Sequence, residues 1–367
     1  MNLIEPPGMV NPQWSIRLRQ FPAAFRDDPR DAIVAAMTES PEVFDRQSLR
    51  LHRDRAAEGI AQHDFLFREV GERLLERLDD IRRVFPRALD LGCHNGIVAE
   101  ILSQRRVQGG AVGDLIQADL SPAMARLAAA KGHAALAADE EALPFAAGSL
   151  DLVLSVLSLH WVNDLPGCLL QIGQALKHDG LLLAAMIGGN SLPELRAALM
   201  QAEIEMEGGA SPRVSPFADL RDMGALLQRA GFALPVADVD SITVTYPSAL
   251  ALMQDLRGMG ETNADRNRRR AVTRRDTLLR AAALYGERHG DAEGRIPASF
   301  EIIYLTGWRP HTSQPKALRP GSAAARLAEA LDSQELTAGD AADPRKAGSG
   351  MKNPGTAGSH QQKNTKT

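Results

Sequence analysis

The sequence is short of several things. It has only two cysteines in 367 residues, Cys93 and Cys168. Two cannot build a disulfide framework or a four-thiolate zinc site, and such usage suits a reducing compartment. Aromatic side chains make up 4% of the chain, so the core must come mainly from Leu, Ala, Val and Ile. No apolar run approaches the ~20 residues of a membrane-spanning helix. Positive charge is not in excess either, with a formal net charge of −4. A nucleic-acid binder would carry a basic face, so that class is set aside. The N-terminus lacks a basic leader followed by an apolar segment of ~7–15 residues. Asp27, Asp28 and Asp31 also interrupt the early arginines, against a transit peptide. A cytoplasmic protein is expected.

What is present divides into three zones. Residues 1–43 hold six prolines with little periodicity and read as an extension. Residues 310–367 have no aromatic residue and eight Lys/Arg against five Asp/Glu. That tail cannot bury enough apolar surface to offset its ordering entropy, so it is expected to be disordered apart from a short helix at Ala323–Leu331. Residues 44–309 form the predicted domain: N-terminal helices over 44–85, a core over 86–190, and helices with the last strands over 191–309.

Within 86–190, short apolar runs alternate with helical patterns. Strands are expected at Ala88–Leu91, Leu115–Leu120, Ala134–Ala138, Leu150–Leu157 and Leu181–Ile187, with helices at Ile97–Arg106 and Pro166–Lys177. Ser121-Pro122 supplies an N-cap and first-turn proline. This alternation implies a doubly wound, mostly parallel α/β sheet covered on both faces. Later elements are helices near Leu192–Met206, Phe217–Ala230, Ser248–Gly258 and Arg274–Tyr285, and strands at Val236–Val244 and Ser299–Trp308. The last is expected to add as an antiparallel edge. Ligands of such sheets sit beyond the carboxyl ends of the strands, and four places there carry chemistry.

The first is Asp90-Leu91-Gly92-Cys93-His94-Asn95-Gly96, whose glycines let backbone N–H groups approach a ligand. It is not the G-x-G-x-x-G of dinucleotide sites, which counts against an NAD-dependent dehydrogenase. An acid two residues before the first glycine suits a ligand bearing an ammonium group; the alternative is a plain tight turn. The second is Asp119, with Leu120, where a carboxylate can accept ribose hydroxyls; Asp before Ser-Pro is also a common turn. The third is Asp139-Glu140-Glu141, where acids reach an adenine amino group or simply start an exposed helix. The fourth begins at Ser155 and runs through Ser158-Leu159-His160-Trp161-Val162-Asn163-Asp164. There His160 is placed as a general base, or else packs the loop with Trp161. Arg266, Arg268, Arg269, Arg270, Arg274 and Arg275 form a basic run expected to be a solvated loop.

Jointly the four places resemble the class I S-adenosylmethionine-dependent methyltransferase pattern. The strings Phe44-Asp45-Arg46, Ala88-Leu89-Asp90-Leu91-Gly92-Cys93, Ser158-Leu159-His160-Trp161-Val162-Asn163-Asp164-Leu165-Pro166 and Gly258-Met259-Gly260-Glu261 narrow the resemblance. They are similar to the complex I assembly factor 5 family, a relative of the malonyl-carrier-protein methyltransferases, over about residues 44–311. The resemblance implies a Rossmann-like class I methyltransferase fold with a helical lid. It implies S-adenosylmethionine held by Asp90, Gly92, His94, Gly96, Asp119, Leu120, Asp139, Glu140 and Ser155, no metal, His160 as catalytic group, and Trp161 and Asn190 at the substrate. His94 departs from the usual middle glycine. The partner it implies is a subunit of the NADH dehydrogenase, modified by methyl transfer or by arginine hydroxylation. Carboxyl methyl transfer to a carrier protein and non-catalytic binding of the cofactor are the alternatives.

Overall fold

The computed structural model describes residues 3–4, 42–105 and 111–315. Apart from Leu3–Ile4, the extension up to residue 41 lies outside them, as does the tail from 316 with the helix expected at Ala323–Leu331. In chain order the elements are β1 (Leu3–Ile4), α1 (Arg46–Ala56), α2 (Phe65–Glu76), β2 (Val84–Leu91), α3 (Ile97–Gln104), β3 (Ala111–Asp119), α4 (Pro122–Ala129), β4 (Ala134–Ala137) and β5 (Leu150–Val156). There follow α5 (Leu165–Ala175), β6 (Leu176–Ile187), α6 (Pro193–Glu207), α7 (Leu220–Arg229), β7 (Ala233–Tyr246), α8 (Ala249–Gly258), α9 (Arg275–His289) and β8 (Ile296–Trp308). They build one sheet in the order β1-β4-β3-β2-β5-β6-β8-β7.

Strands β4, β3, β2, β5 and β6 pair in parallel, while β8 is antiparallel to both β6 and β7. The doubly wound α/β expectation holds. Its antiparallel strand, Ser299–Trp308, lies one place in from the edge, and β7 is outermost. The order reverses between β2 and β5, so the ligand-binding crevice is set at their carboxyl ends.

Two cores explain why the strands are apolar throughout. All seven residues of β5 are buried. Leu152, Leu154 and Val156 face one side, under α2, α3, α6 and α9, while Leu150 and Val153 face the other, under α5 and α7. The period of two separates Val153 from Leu152, Leu154 and Val156, and an irregularity in the pairing between Leu150 and Leu152 puts Leu150 on the Val153 side. Local signals set the helix starts. Ser121 accepts from the Met124 N–H at 3.1 Å with Pro122 in the first turn, and Asp164 accepts from Gly167 N–H at 2.9 Å. β6 begins earlier than expected, at Leu176, which pairs with Leu150 of β5, and the turn expected at Asp179-Gly180 is a left-handed residue (Asp179, φ 61°) within the strand.

Among the described residues no helix is long and apolar enough to cross a membrane. The basic run after residue 265 is corrected in part. Arg268 donates to Asp45 (3.1 Å) and Ser48 (2.7 Å), Arg269 pairs with Glu203 and Glu207, and Arg266 pairs with Glu42. These arginines pin their loop to α1 and α6.

Candidate active site

Beyond β2 the chain turns through left-handed backbone at Gly92 (φ 75°), His94 (φ 48°) and Gly96 (φ 77°). Glycine is needed at the first, because a Cβ there would overlap Ser158 in the loop after β5. At Gly96 a Cβ would lie 2.7 Å from Gln117 Oε1 and 3.1 Å from the Ala128 backbone, so α3 and α4 pack through it. The His94 ring is fully buried against Phe67, with centroids 4.1 Å apart and Nε2 3.1 Å from the Val156 carbonyl. Burial, then the charge of Arg53, holds this imidazole below its ordinary pKa, so it is neutral at pH 7.

Three buried carboxylates gather at this end of the sheet. Asp119 closes β3 and accepts from Ser121 N–H (2.7 Å) and His94 N–H (3.0 Å). Glu140 accepts from Ser158 Oγ at 2.7 Å. Asp90 differs: it is fully buried and neither carboxylate oxygen has a hydrogen-bond partner. Burial, with Asp119 nearby, pushes it well above the usual carboxylate range.

Two arginines of α1 answer the other acids. Arg53 is fully buried, with Nη1 3.4 Å from each Asp119 oxygen and 3.5 Å from Glu140, and Nη2 3.0 Å from Ser158 Oγ. Arg46 pairs with Glu140 and donates to Asp139 at 2.6 Å. Burial alone would raise Glu140, but the two guanidiniums and Ser158 outweigh it and hold the carboxyl at about 2. Arg46, Leu49, Arg53 and Ala56 recur at three- and four-residue spacing, one helix face. Arginines where such a stripe is normally apolar were the available signal, and sequence reasoning passed over it.

The loop after β5 forms a short 3-10 turn at Leu159–Trp161. Trp161 Nε1 donates to Glu261 Oε2 at 2.7 Å, and His160 Nε2 stands 3.1 Å from the same oxygen. Glu261 follows α8, and its other oxygen, Oε1, is buried without a partner. Burial opposes ionisation of Glu261, yet His160 and the charge of Arg53 hold its pKa below the ordinary value. Phe44 and Phe217 stack edge-on to Trp161, at 5.2 and 5.8 Å, and fix the indole. Glu261 ends the string Gly258-Met259-Gly260-Glu261, but nothing local to it points to partners in the distant loop after β5.

The predicted site residues therefore separate. Asp90, Gly92, His94, Gly96, Asp119 and Glu140 converge, with Asp139 half-exposed at their rim and Leu120 packed beside Phe44 and Trp161. His160 and Trp161 stand together at Glu261. Two other expected residues are engaged elsewhere. Ser155 donates to the Leu91 carbonyl at 2.7 Å inside the sheet, so its hydroxyl is consumed there; Ser158 faces the acids in its place. Asn190 bonds Glu301 on the exposed rim at 2.9 Å, outside the cluster. Among the described residues no three His, Cys, Asp or Glu are grouped to hold a metal ion.

A methyltransferase-domain family model matches residues 89–184, the strands and loops just described. The mitochondrial arginine-hydroxylase NDUFAF5 of Danio rerio is 45% identical over 291 residues, covering 78% of this chain and 89% of its own. Its Homo sapiens counterpart is 44% identical over 291 residues, covering 78% and 83%. The malonyl-[acyl-carrier protein] O-methyltransferase of Laribacter hongkongensis is 37% identical over 290 residues, covering 76% and 94%. These names overturn the cytoplasmic expectation, since the NDUFAF5 relatives are mitochondrial proteins by name. An absent leader pattern near the N-terminus was no guide to compartment.

Proposed function

This chain belongs to the arginine-hydroxylase NDUFAF5 family, and from that premise we propose that it modifies an arginine of an NADH dehydrogenase subunit during assembly. Its cofactor is S-adenosylmethionine, in keeping with its methyltransferase domain. The donor set fits that group by charge. Asp90, buried with both oxygens unpartnered, calls for a cation, and the cofactor carries an ammonium and a sulfonium. Asp90 and the backbone at Gly92 and Gly96 would hold its amino-acid end, and Asp119, Asp139 and Glu140 its nucleoside end. When bound, it supplies an electrophilic carbon on sulfur.

The observation that carries the substrate reading is the engagement of both site arginines by acids. A malonyl carboxylate needs a free cation, and Arg46 and Arg53 are committed. An arginine side chain brings its own charge to an acidic centre. His160 is positioned by Glu261, and its Nδ1, buried and unpartnered, is the atom free to exchange a proton. The resulting imidazolium would be stabilised by the Glu261 carboxylate.

The reaction is read by intact mass of an NADH dehydrogenase subunit fragment after incubation with the full chain and S-adenosylmethionine. With dioxygen and a two-electron reductant also supplied, a gain of one oxygen atom (the second leaving as water) marks hydroxylation, the activity named in the relatives, and a gain of one CH₂ from S-adenosylmethionine marks methyl transfer. An unchanged subunit, with modification of a malonyl carrier protein instead, would overturn the proposal in favour of carboxyl methylation.

A further inference from the structure

We propose that Glu261 is the receptor for the substrate's cationic side chain, and that it selects a guanidinium over a neutral group of the same shape. The inference rests on the proposed arginine-modifying reading and assigns the residue that recognises the arginine.

Glu261 lines a narrow cavity whose walls are Leu157, Ile187, Leu192, Phe217, Met259 and Phe300, and it is the sole ionisable residue of that lining. Its side chain is only 9% exposed. Oε2 is committed to Trp161 and His160, while Oε1 has no partner. A buried carboxylate oxygen without a donor costs free energy that an incoming donor recovers. Among apolar walls, the complementary ligand is a long aliphatic stem ending in a cation, which is the build of an arginine side chain.

Two features favour a guanidinium. Oε1 accepts a charge-assisted hydrogen bond from it. Phe217 stands in the same lining, and its ring, once turned aside, can stack on a planar cation. The same position places the side chain beside His160, whose ring lies 5.3 Å from that of Phe217. The cavity encloses about 30 Å³, the share of one water in the liquid. Phe217 and Met259 must therefore turn aside as the stem enters. Phe217 is carried by the connection between α6 and α7 and is only half-buried at the margin of the core and of the Trp161 cluster, so its rotation disturbs a margin and not a fully buried position.

The test uses the full chain with S-adenosylhomocysteine, titrated with acetyl-Gly-Arg-Gly-amide and with its citrulline counterpart, which is neutral and nearly isosteric. The wild type is expected to prefer the arginine peptide by about tenfold or more, the size of a charge-assisted hydrogen bond. Glu261→Gln keeps an acceptor for Trp161 and removes the charge, and the arginine-to-citrulline ratio is expected to fall to near one. Unchanged S-adenosylhomocysteine affinity in that variant shows that the fold is intact; a purely structural Glu261 would lower both peptides' binding together. A ratio retained in Glu261→Gln overturns the inference while leaving subunit modification by the wild type standing. A wild type with no arginine preference overturns it as well, and if the subunit mass is also unchanged the arginine-modifying reading falls with it.

Discussion

Arg53→Met is expected to cost about 3–5 kcal/mol of folding stability, the penalty for removing one partner of a buried ion pair. Arg53 is fully buried and touches Asp119, Glu140 and Ser158. Methionine fills much of the space but leaves two buried carboxylates short of a cation. Arg46 still pairs with Glu140, which places the loss toward the lower figure. The measurement is urea unfolding of the full chain, read as a shift of midpoint at unchanged slope. A loss under about 1 kcal/mol, the value of an exposed pair, would show that Arg53 does not neutralise these acids.

The same substitution has a signature in pH. Glu140 is held at about 2 in the folded protein, below the roughly 4.3 of a free glutamate. A depressed folded pKa contributes stability that is present above about pH 4.3 and lost as pH falls toward 2. The deficit of Arg53→Met should thus be largest near neutrality and close across that acid window. A deficit independent of pH would assign Arg53 a packing role only.

Asp90→Asn is expected to lower affinity for S-adenosylmethionine by about ten- to a hundredfold, the range of a lost charge-assisted hydrogen bond. It should do so without destabilising the free protein. Burial and Asp119 raise the Asp90 pKa, so the folded state binds a proton that the unfolded chain releases above about pH 3.9. Wild-type stability then declines as pH rises from there toward the raised folded value. The amide of the variant does not titrate, so Asp90→Asn should lack that decline. Cofactor binding should also release up to about one proton from the wild type, seen by calorimetry as an enthalpy that changes with buffer ionisation. Equal affinity in both proteins would remove Asp90 from the cofactor site.

Much of this was legible in order along the chain. The mainly apolar runs ending at Leu91, Asp119, Ala137 and Val156 are short and followed by turn residues, so period and punctuation marked the strands. Asp90, Asp119 and Glu140 were singled out because ligands of such sheets sit just past those ends, and the structure brings their carboxyls to one end of the sheet. The Ser155 hydroxyl bonds the Leu91 carbonyl inside the sheet, a cross-strand partner that the sequence around Ser155 does not display. Asn190 lies away from the acids because the loop after β6 is held at the rim by Glu301, a residue of β8 far along the chain.

Arg53 and Glu261 were out of reach for a related reason. Arg53 left a partial signal in its spacing from Arg46, Leu49 and Ala56, but an arginine on a helix and a glutamate after a glycine look solvated in sequence, since most such residues are. Their burial depends on α1 and the loop after α8, segments far apart in sequence, packing directly on each other over the end of the sheet. Sequence by itself therefore determined the doubly wound sheet, the crevice and the acids at its rim, because strand period and turn chemistry act between near neighbours. Only the tertiary structure decided which acids are neutralised and which await a cation. That balance depends on charges that packing brings into contact from positions far apart along the chain.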